Sequence, residues 1–291
     1  MEETAITTAR PIVVGTDGAA PGEAAVRWAA KEAARRGVPL RIVAAYESRP
    51  DEAALDAKDT DRGLATAVLD AAVVQARAAA ASGIRVEAHA VPGDAVTALL
   101  NQRDAALLVV GNRGRGGFAS LLLGSVSQRV ATHAAVPVVV VRGRTETASG
   151  PVVAGVDDSA AASGVLGAAF EAAANRGAPL AIVRTYTSPV PLWVGDIPAV
   201  DNAVPRAQAE ALERLEHEVA PWREKYPEVE AEAVVSPDGP AAVLVAVSHS
   251  ARMVVVGSRG HGTVVNTLLG STGLQLLHHA GCPVLVVRGS I

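Results

Sequence analysis

Two glycine-rich segments carry the residues best suited to bind an anion. The first, GNRGRGGFASLLLGS, runs from Gly111 to Ser125, and its counterpart, GSRGHGTVVNTLLGS, runs from Gly257 to Ser271. Each contains Gly-x-x-Gly, nine further residues and Gly-Ser, and each follows a short apolar run that is typical of a buried strand. A glycine-rich turn between a strand and a helix presents backbone N–H groups to anionic oxygens. The spacing therefore predicts two phosphate-binding loops, although tight structural turns remain an alternative.

An aspartate follows the first apolar run of each half. The segment PIVVGTD ends at Asp17, and PVVAGVD ends at Asp157. In an open parallel sheet, ligands bind beyond the carboxyl ends of the strands, where the strand order reverses. We therefore expect Asp17 and Gly111 to lie on one rim of the sheet. An alternative use of Asp17 is to cap the helix that is predicted to begin near Pro21.

Other phosphate and metal motifs fit the sequence poorly. A P-loop needs lysine directly after glycine, and none of the three lysines, Lys31, Lys58 and Lys225, follows one. The stretch from Gly114 to Ala119 matches the loose dinucleotide pattern, but it follows the fourth predicted strand and lacks the acidic residue downstream. No aspartate and lysine are placed as in a receiver domain, and no His/Cys spacing indicates zinc.

The chain is internally duplicated well beyond the glycine loops. RGVPL at 36–40 returns as RGAPL at 176–180, and HAAVPV at 133–138 returns as HAGCPV at 279–284. Ordered matches along the whole chain predict two domains of one fold, at 1–146 and 147–291. The polar stretch from Gly143 to Gly150 is the expected seam.

Strands and helices alternate in each half. In the first half the pattern predicts strands near 12–14, 40–45, 84–90, 106–110 and 137–141, and helices near 21–36, 66–81, 94–102 and 122–133. We expect Gly37 and Gly83 to close the first two helices, and Thr187 to Pro205 to form a long surface loop. Strands that are apolar throughout favour a parallel sheet that is covered on both faces. The predicted fold class is α/β, with two tandem open five-stranded parallel-sheet domains of Rossmann-like type.

Composition narrows the class of protein. The 291 residues are 49% hydrophobic and 3% aromatic, and the net charge is −4, whereas a nucleic-acid-binding surface is usually basic. No apolar run approaches the roughly 20 residues that span a bilayer. The N-terminus shows no signal-peptide pattern. Cys282 has no cysteine to pair with, so we interpret it as a core residue and expect a cytoplasmic protein.

At the level of motifs, the chain resembles the universal stress protein family in its tandem two-domain form. The resemblance rests on GTDG at 15–18, GVDDS at 155–159, both glycine loops, and the closing segments HAAVPVVVV and HAGCPVLVV. It implies a five-stranded parallel fold related to adenine nucleotide α-hydrolases and binding of ATP with Mg²⁺. It further implies a homodimer, and a regulatory role in stress or growth arrest.

The resemblance also assigns individual residues. It places Asp17 and Asp157 on the nucleoside side of the pocket, and lets Ala45 and Thr185 contact adenine through their backbones. The phosphate side comprises the glycine loops and the starts of the following helices: Gly111, Arg113, Gly114, Gly124, Ser125, Val126 and Ser127 in the first half, and Gly257, Arg259, Gly260, Gly270, Ser271 and Thr272 in the second. No residue is assigned a metal-binding or catalytic role.

Three positions depart from the family pattern. Ala19 replaces a serine that often follows the first aspartate, and Asp158 replaces the corresponding glycine of the second half. Asp158 either repels phosphate or recruits a divalent cation. Gly273 stands where the first half has Ser127, which removes a hydroxyl donor. The first site is therefore expected to bind better than the second.

The function expected from these features is nucleotide binding that regulates an unidentified protein partner. Two alternatives stay open. One is a slow ATPase, although no catalytic base or phosphate-binding lysine is evident; the other is an interaction protein without nucleotide, whose glycine loops are structural. Neither nucleic acid nor membrane is expected as a partner.

Overall fold

The computed structural model describes residues 9–47, 55–80, 83–114, 123–145, 149–187, 203–258 and 269–288. The chain divides into two compact units, Met1–Val141 and Arg142–Ile291. The predicted boundary after residue 146 stays a prediction, because 146–148 lie outside the described ranges.

The first unit is a five-stranded parallel sheet with helices. In chain order its elements are β1 Ile12–Gly15, α1 Ala20–Arg36, β2 Leu40–Tyr46, α2 Leu55–Ala79, β3 Val86–Pro92, α3 Ala95–Leu100, β4 Leu107–Gly111, α4 Ser125–His133 and β5 Val138–Val141. The strand order is β3-β2-β1-β4-β5, and every pairing is parallel. The order therefore reverses between β1 and β4. Since α1 packs on α2 and α3 packs on α4, helices cover both faces of the sheet.

The second unit repeats this architecture. Its elements are β6 Val152–Gly155, α5 Ala162–Ala174, β7 Leu180–Thr185, α6 Ala203–Lys225, β8 Ala231–Ser236, α7 Pro240–Ser248, β9 Met253–Gly257, α8 Ser271–His279 and β10 Val284–Val287. The strand order is β8-β7-β6-β9-β10, again parallel throughout. The predicted α/β fold class is confirmed in both units.

Apolar strands and defined helix ends explain why the sequence adopts these elements. The strands β4 and β5 are buried along their whole length, as expected for a sheet covered on both faces. Gly37 ends α1 in the left-handed conformation at φ 64°, which glycine adopts without a Cβ penalty. Cys282 is fully buried, and this burial raises the pKa of its thiol to about 12. Its interpretation as a core residue is confirmed.

The helix predicted near 66–81 is longer at its start and shorter at its end. It begins at Leu55 and ends at Ala79, so Gly83 does not close it. Within the part of this helix whose burial is described, the buried apolar residues, among them Ala65, Leu69 and Ala76, begin at residue 65. The sequence of the first turns, LDAKDTDRG at 55–63, is largely polar and gives no hydrophobic period from which the start could be predicted.

Smaller corrections concern other boundaries. The third strand runs over 86–92 rather than 84–90, and α4 begins at Ser125 rather than near Leu122. The loop predicted up to Pro205 ends earlier, because α6 begins at Ala203. A proline in the first turn of a helix lacks only an N–H group that has no intrahelical acceptor there. The rest of that predicted loop, 188–202, lies outside the described residues.

Candidate nucleotide site

Asp17 lies in a tight turn directly beyond β1. The Thr16 backbone N–H donates to the Val43 carbonyl at 3.0 Å, which extends the sheet by one residue. The Ala19 N–H then donates to Oδ1 of Asp17 at 3.0 Å. The N-cap of α1 is Ala19, not Asp17. The turn therefore holds one carboxylate oxygen just before the helix, and the carboxylate does not cap it.

The glycine loop after β4 meets this aspartate. A Cβ atom built on Gly114 would lie 2.6 Å from Oδ2 of Asp17, so any other residue here would push this carboxylate out of its position. The predicted meeting of the two motifs at the rim where the strand order reverses is observed. Gly111 is the last residue of β4, and its Cβ would lie 2.5 Å from the carbonyl oxygen of Pro21 in α1. Gly111 thus allows the sheet and α1 to pack.

The other end of the loop leads into α4. The Gly124 N–H donates to the Asn112 carbonyl at 2.7 Å, which closes the loop at its base. Gly124 is the N-cap of α4 and gives the helix no side-chain cap. The first N–H groups of a helix have no intrahelical acceptor, so those of Ser125 and Val126 suit an anion at this position.

Ser127 does not have the position expected of a phosphate ligand. Its side chain is buried, and its hydroxyl donates to the Gly111 carbonyl at 2.5 Å. The hydroxyl therefore ties α4 to the end of β4. Arg113 and Gly114 complete the described part of the loop, and 115–122 lie outside the described residues.

An open cleft of about 270 Å³ adjoins Asp17 on the side of β2. It is lined by the turn after β1, the end of β2 and the part of α2 between residues 61 and 68, including Thr16, Ala44, Ala45, Leu64 and Val68. The Val43 carbonyl points toward β1, where Thr16 bonds to it. Backbone polar groups on a strand alternate in direction, so those of Ala45 point the same way, beyond the end of β1. Ala45 can therefore offer an N–H and a C=O to a flat polar ring.

The second unit reproduces the frame of this site. The backbone N–H and the hydroxyl of Ser159 both donate to Oδ1 of Asp157, at 3.0 and 2.5 Å. The Val156 N–H bonds to the Val183 carbonyl, so Thr185 takes the place of Ala45. The predicted phosphate residues Gly257, Gly270, Ser271 and Thr272 lie at the end of β9 and the start of α8, whereas Arg259 and Gly260 lie outside the described residues.

A buried arginine distinguishes the second unit. Arg184 of β7 is 3% exposed, and it forms a bidentate pair with Glu218 of α6 at 2.9 and 2.6 Å. It also contacts the carboxylate of Asp158 at 3.0 Å and the backbone carbonyl of Asp157 at 3.0 Å. Burial alone would lower the pKa of Arg184, but the hydrogen bond and charge of Glu218, followed by the two aspartates, raise it. The guanidinium therefore stays charged.

None of the sequence motifs indicates a role for Arg184 or Glu218. In the first unit Leu40 pairs with the first residue of β1, and in the second unit Leu180 pairs with the first residue of β6. These two leucines therefore correspond, and Arg184, four residues further along, occupies the position of Ala44. A charged residue at a buried strand position is a signal that a comparison of the two repeats could have found.

Two negative findings apply to the described part of the chain. No group of three or more His, Cys, Asp and Glu side chains there is arranged to hold a metal ion. Among the helices described, none combines the length and the apolar character needed to cross a membrane.

Comparison with known proteins identifies the family. The profile described as "Universal stress protein family" matches residues 8–142 and 149–288, so the chain belongs to this family, with two tandem copies of its domain. Universal stress protein Rv2623 of Mycobacterium tuberculosis H37Rv is 34% identical over 294 residues, covering 96% of this chain and 97% of its own. Universal stress protein Rv2005c of the same strain is 32% identical over 291 residues, covering 96% and 97%.

A solved structure shares the fold over the same length. The crystal structure of a universal stress protein from Archaeoglobus fulgidus DSM 4304 matches with a TM-score of 0.70 and 22% identity, covering 96% of each chain. At 22% identity this similarity establishes a shared fold alone.

Proposed function

We propose that the first unit binds an adenine nucleotide, and that ATP with Mg²⁺ is the ligand. The observation that carries the proposal is the approach of Gly114 to Asp17, because it joins two half-sites. On one side lie the glycine loop and the uncapped start of α4, which suit phosphates. On the other side lies the cleft at Ala45, which suits a nucleoside.

The side chains of this site favour binding over catalysis. Phosphoryl transfer needs a group that positions or activates the nucleophile, together with cations on the phosphates. The described residues of the loop, from Gly111 to Gly114, offer Asn112 and Arg113 but no base. Mg²⁺ would enter with the nucleotide, because this ion is usually held by phosphates and one or two carboxylates.

The expected biological role is regulatory. Nucleotide bound at the glycine loop would change a surface that a second copy of the chain or another protein recognises. We expect a homodimer, and a cytoplasmic location where ATP is abundant. If ATP exceeds its Kd about a thousandfold, mass action stabilises the bound form by about 4 kcal/mol. The first unit would then be loaded at all times.

Calorimetric titration of the full chain with Mg-ATP tests this proposal. We expect Gly114→Ala to weaken binding by about tenfold or more, since a Cβ would displace the Asp17 carboxylate. Gly83→Ala is the matched control, because a Cβ there meets nothing within 4 Å. Absence of heat and of competition at millimolar Mg-ATP would contradict the proposal, and multiple turnovers of ATP abolished by Gly114→Ala would favour an ATPase.

A further inference from the structure

We infer that Arg184 closes the nucleoside cleft of the second unit, so that the two halves of the chain are not equivalent and only the first takes an adenine nucleotide. This inference rests on the proposed function of the first unit. It concerns a residue that decides which of two similar sites is open.

Strand pairing fixes the first correspondence between the units. In the first unit Ile12 pairs with Leu40, and in the second unit Val152 pairs with Leu180. Four residues further along each strand stand Ala44 and Arg184. Ala44 is a wall of the open cleft in the first unit, and a methyl group leaves that space free.

The helices give the second correspondence. The buried residues Ala65 and Leu69 of α2 have the same spacing as Ala211 and Leu215 of α6. When these pairs are superposed in sequence, Glu218 takes the place of Ala72, which lines the neighbouring cleft against α2. Two alanines of the first unit are thus replaced by an arginine and a glutamate that bond to each other.

The contacts of the guanidinium show what it occupies. It bridges the turn after β6, through the Asp157 carbonyl and the Asp158 carboxylate, to α6 through Glu218. The corresponding turn and helix of the first unit, at Asp17 and α2, are the two walls of the open cleft. A side chain that spans from one wall to the other fills the space in which a nucleoside would lie.

The bridge is also held in place. Bidentate pairing with a carboxylate suits the planar guanidinium, and Arg184 is only 3% exposed. The helix that carries Glu218 is fixed to α5 by aromatic contacts, because Phe170 stacks with Trp222 and Tyr226 at centroid distances of 6.2 and 5.7 Å. Glu218 is 38% exposed, but displacing it would leave the buried charge of Arg184 without its main partner, so a neutral nucleoside does not displace this side chain.

Equilibrium dialysis of the full chain against Mg-ATP tests the inference. We expect one binding site per wild-type chain. Gly114→Ala weakens the first unit by about tenfold or more, so no site of wild-type affinity is expected to remain in that variant. Arg184→Ala with Glu218→Ala, added to Gly114→Ala, restores the alanines of the first unit and is expected to recover one nucleotide per chain. The control in the same background is Arg223→Ala with Glu216→Ala, a second Arg–Glu pair on α6, which is expected to recover none.

Introducing the arginine and the glutamate into the first unit provides a second test, which leaves the ion pair of the second unit unchanged. Ala44→Arg with Ala72→Glu in the wild-type chain is expected to abolish binding, with a circular dichroism melt showing that the chain stays folded. Two nucleotides per wild-type chain, or a site of wild-type affinity left in Gly114→Ala, would overturn the inference while leaving nucleotide binding intact. If the wild type binds none, the proposed function fails. The inference is then decided by whether Arg184→Ala with Glu218→Ala gains a site.

Discussion

At the scale of single residues, Asp17 has two separable tasks. Its Oδ1 accepts the Ala19 N–H, while its Oδ2 faces Gly114. Asp17→Asn keeps an acceptor oxygen for the turn but removes the charge, so we expect the free energy of unfolding to change by less than about 0.5 kcal/mol. Nucleotide affinity is expected to fall by about tenfold, because an amide is a weaker acceptor for ribose hydroxyls than a carboxylate.

Asp17→Ala serves as the comparison, since it removes the turn acceptor as well. Urea unfolding and Mg-ATP titration on both variants measure the two tasks separately. Equal affinity of Asp17→Asn and the wild type would show that the carboxylate serves the turn alone.

Gly111 makes a packing contact that a phosphate role does not require. Any side chain here meets the Pro21 carbonyl, a backbone atom that cannot rotate away. Because overpacking of this kind typically costs about 1–3 kcal/mol, we expect Gly111→Ala to lower the free energy of unfolding by that amount. Urea denaturation checks it against Gly83→Ala, and identical midpoints for the two variants would contradict the described packing.

At the scale of elements, Asp94 sets the start of α3. Its carboxylate accepts from the Val96 and Thr97 N–H groups at 3.0 and 3.2 Å. Hydrogen bonds from Thr97, side chain and backbone, hold the pKa of Asp94 below its usual value of 3.8. A lowered pKa in the folded state means that this contribution is present above the unfolded pKa and is lost as the pH falls through the folded one.

The resulting prediction concerns acid stability. Asp94→Asn keeps a capping oxygen and cannot titrate, so its urea midpoint should fall less than that of the wild type between pH 5 and pH 2, measured by far-UV circular dichroism. Asp94→Ala lacks a cap and should be less stable at every pH. An Asn variant that loses stability in acid as steeply as the wild type would contradict this assignment.

At the scale of the whole molecule, the fold was largely predictable and the site only in part. Duplicated apolar strands and glycine loops determine the order of elements, so the parallel sheets and the placement of Asp17 and Gly111 on one rim follow from pattern alone. The first turns of α2 were not predictable, since their largely polar sequence carries no hydrophobic period. Nor was the contact from Arg184 to Glu218, since the partners are separated in sequence and pair only after α6 packs on the sheet.

The two units of this duplicated chain share a fold but differ in the cleft above it. Both units keep the frame of strand, turn and helix, because burial of the apolar strands maintains it. The cleft above that frame depends on a few side chains, and exchange of two alanines for an ion pair alters it without altering the fold. A chain with one open site binds its ligand in a single step rather than in two.

A crystal structure of the full chain grown with Mg-ATP would show where the nucleotide binds. We expect one nucleotide in the first unit, with phosphates between Gly114 and the start of α4 and adenine against the Ala45 backbone. We expect Arg184 to remain paired with Glu218 in the second unit. An empty first unit at saturating Mg-ATP, or nucleotide bound elsewhere, would refute the proposed binding site.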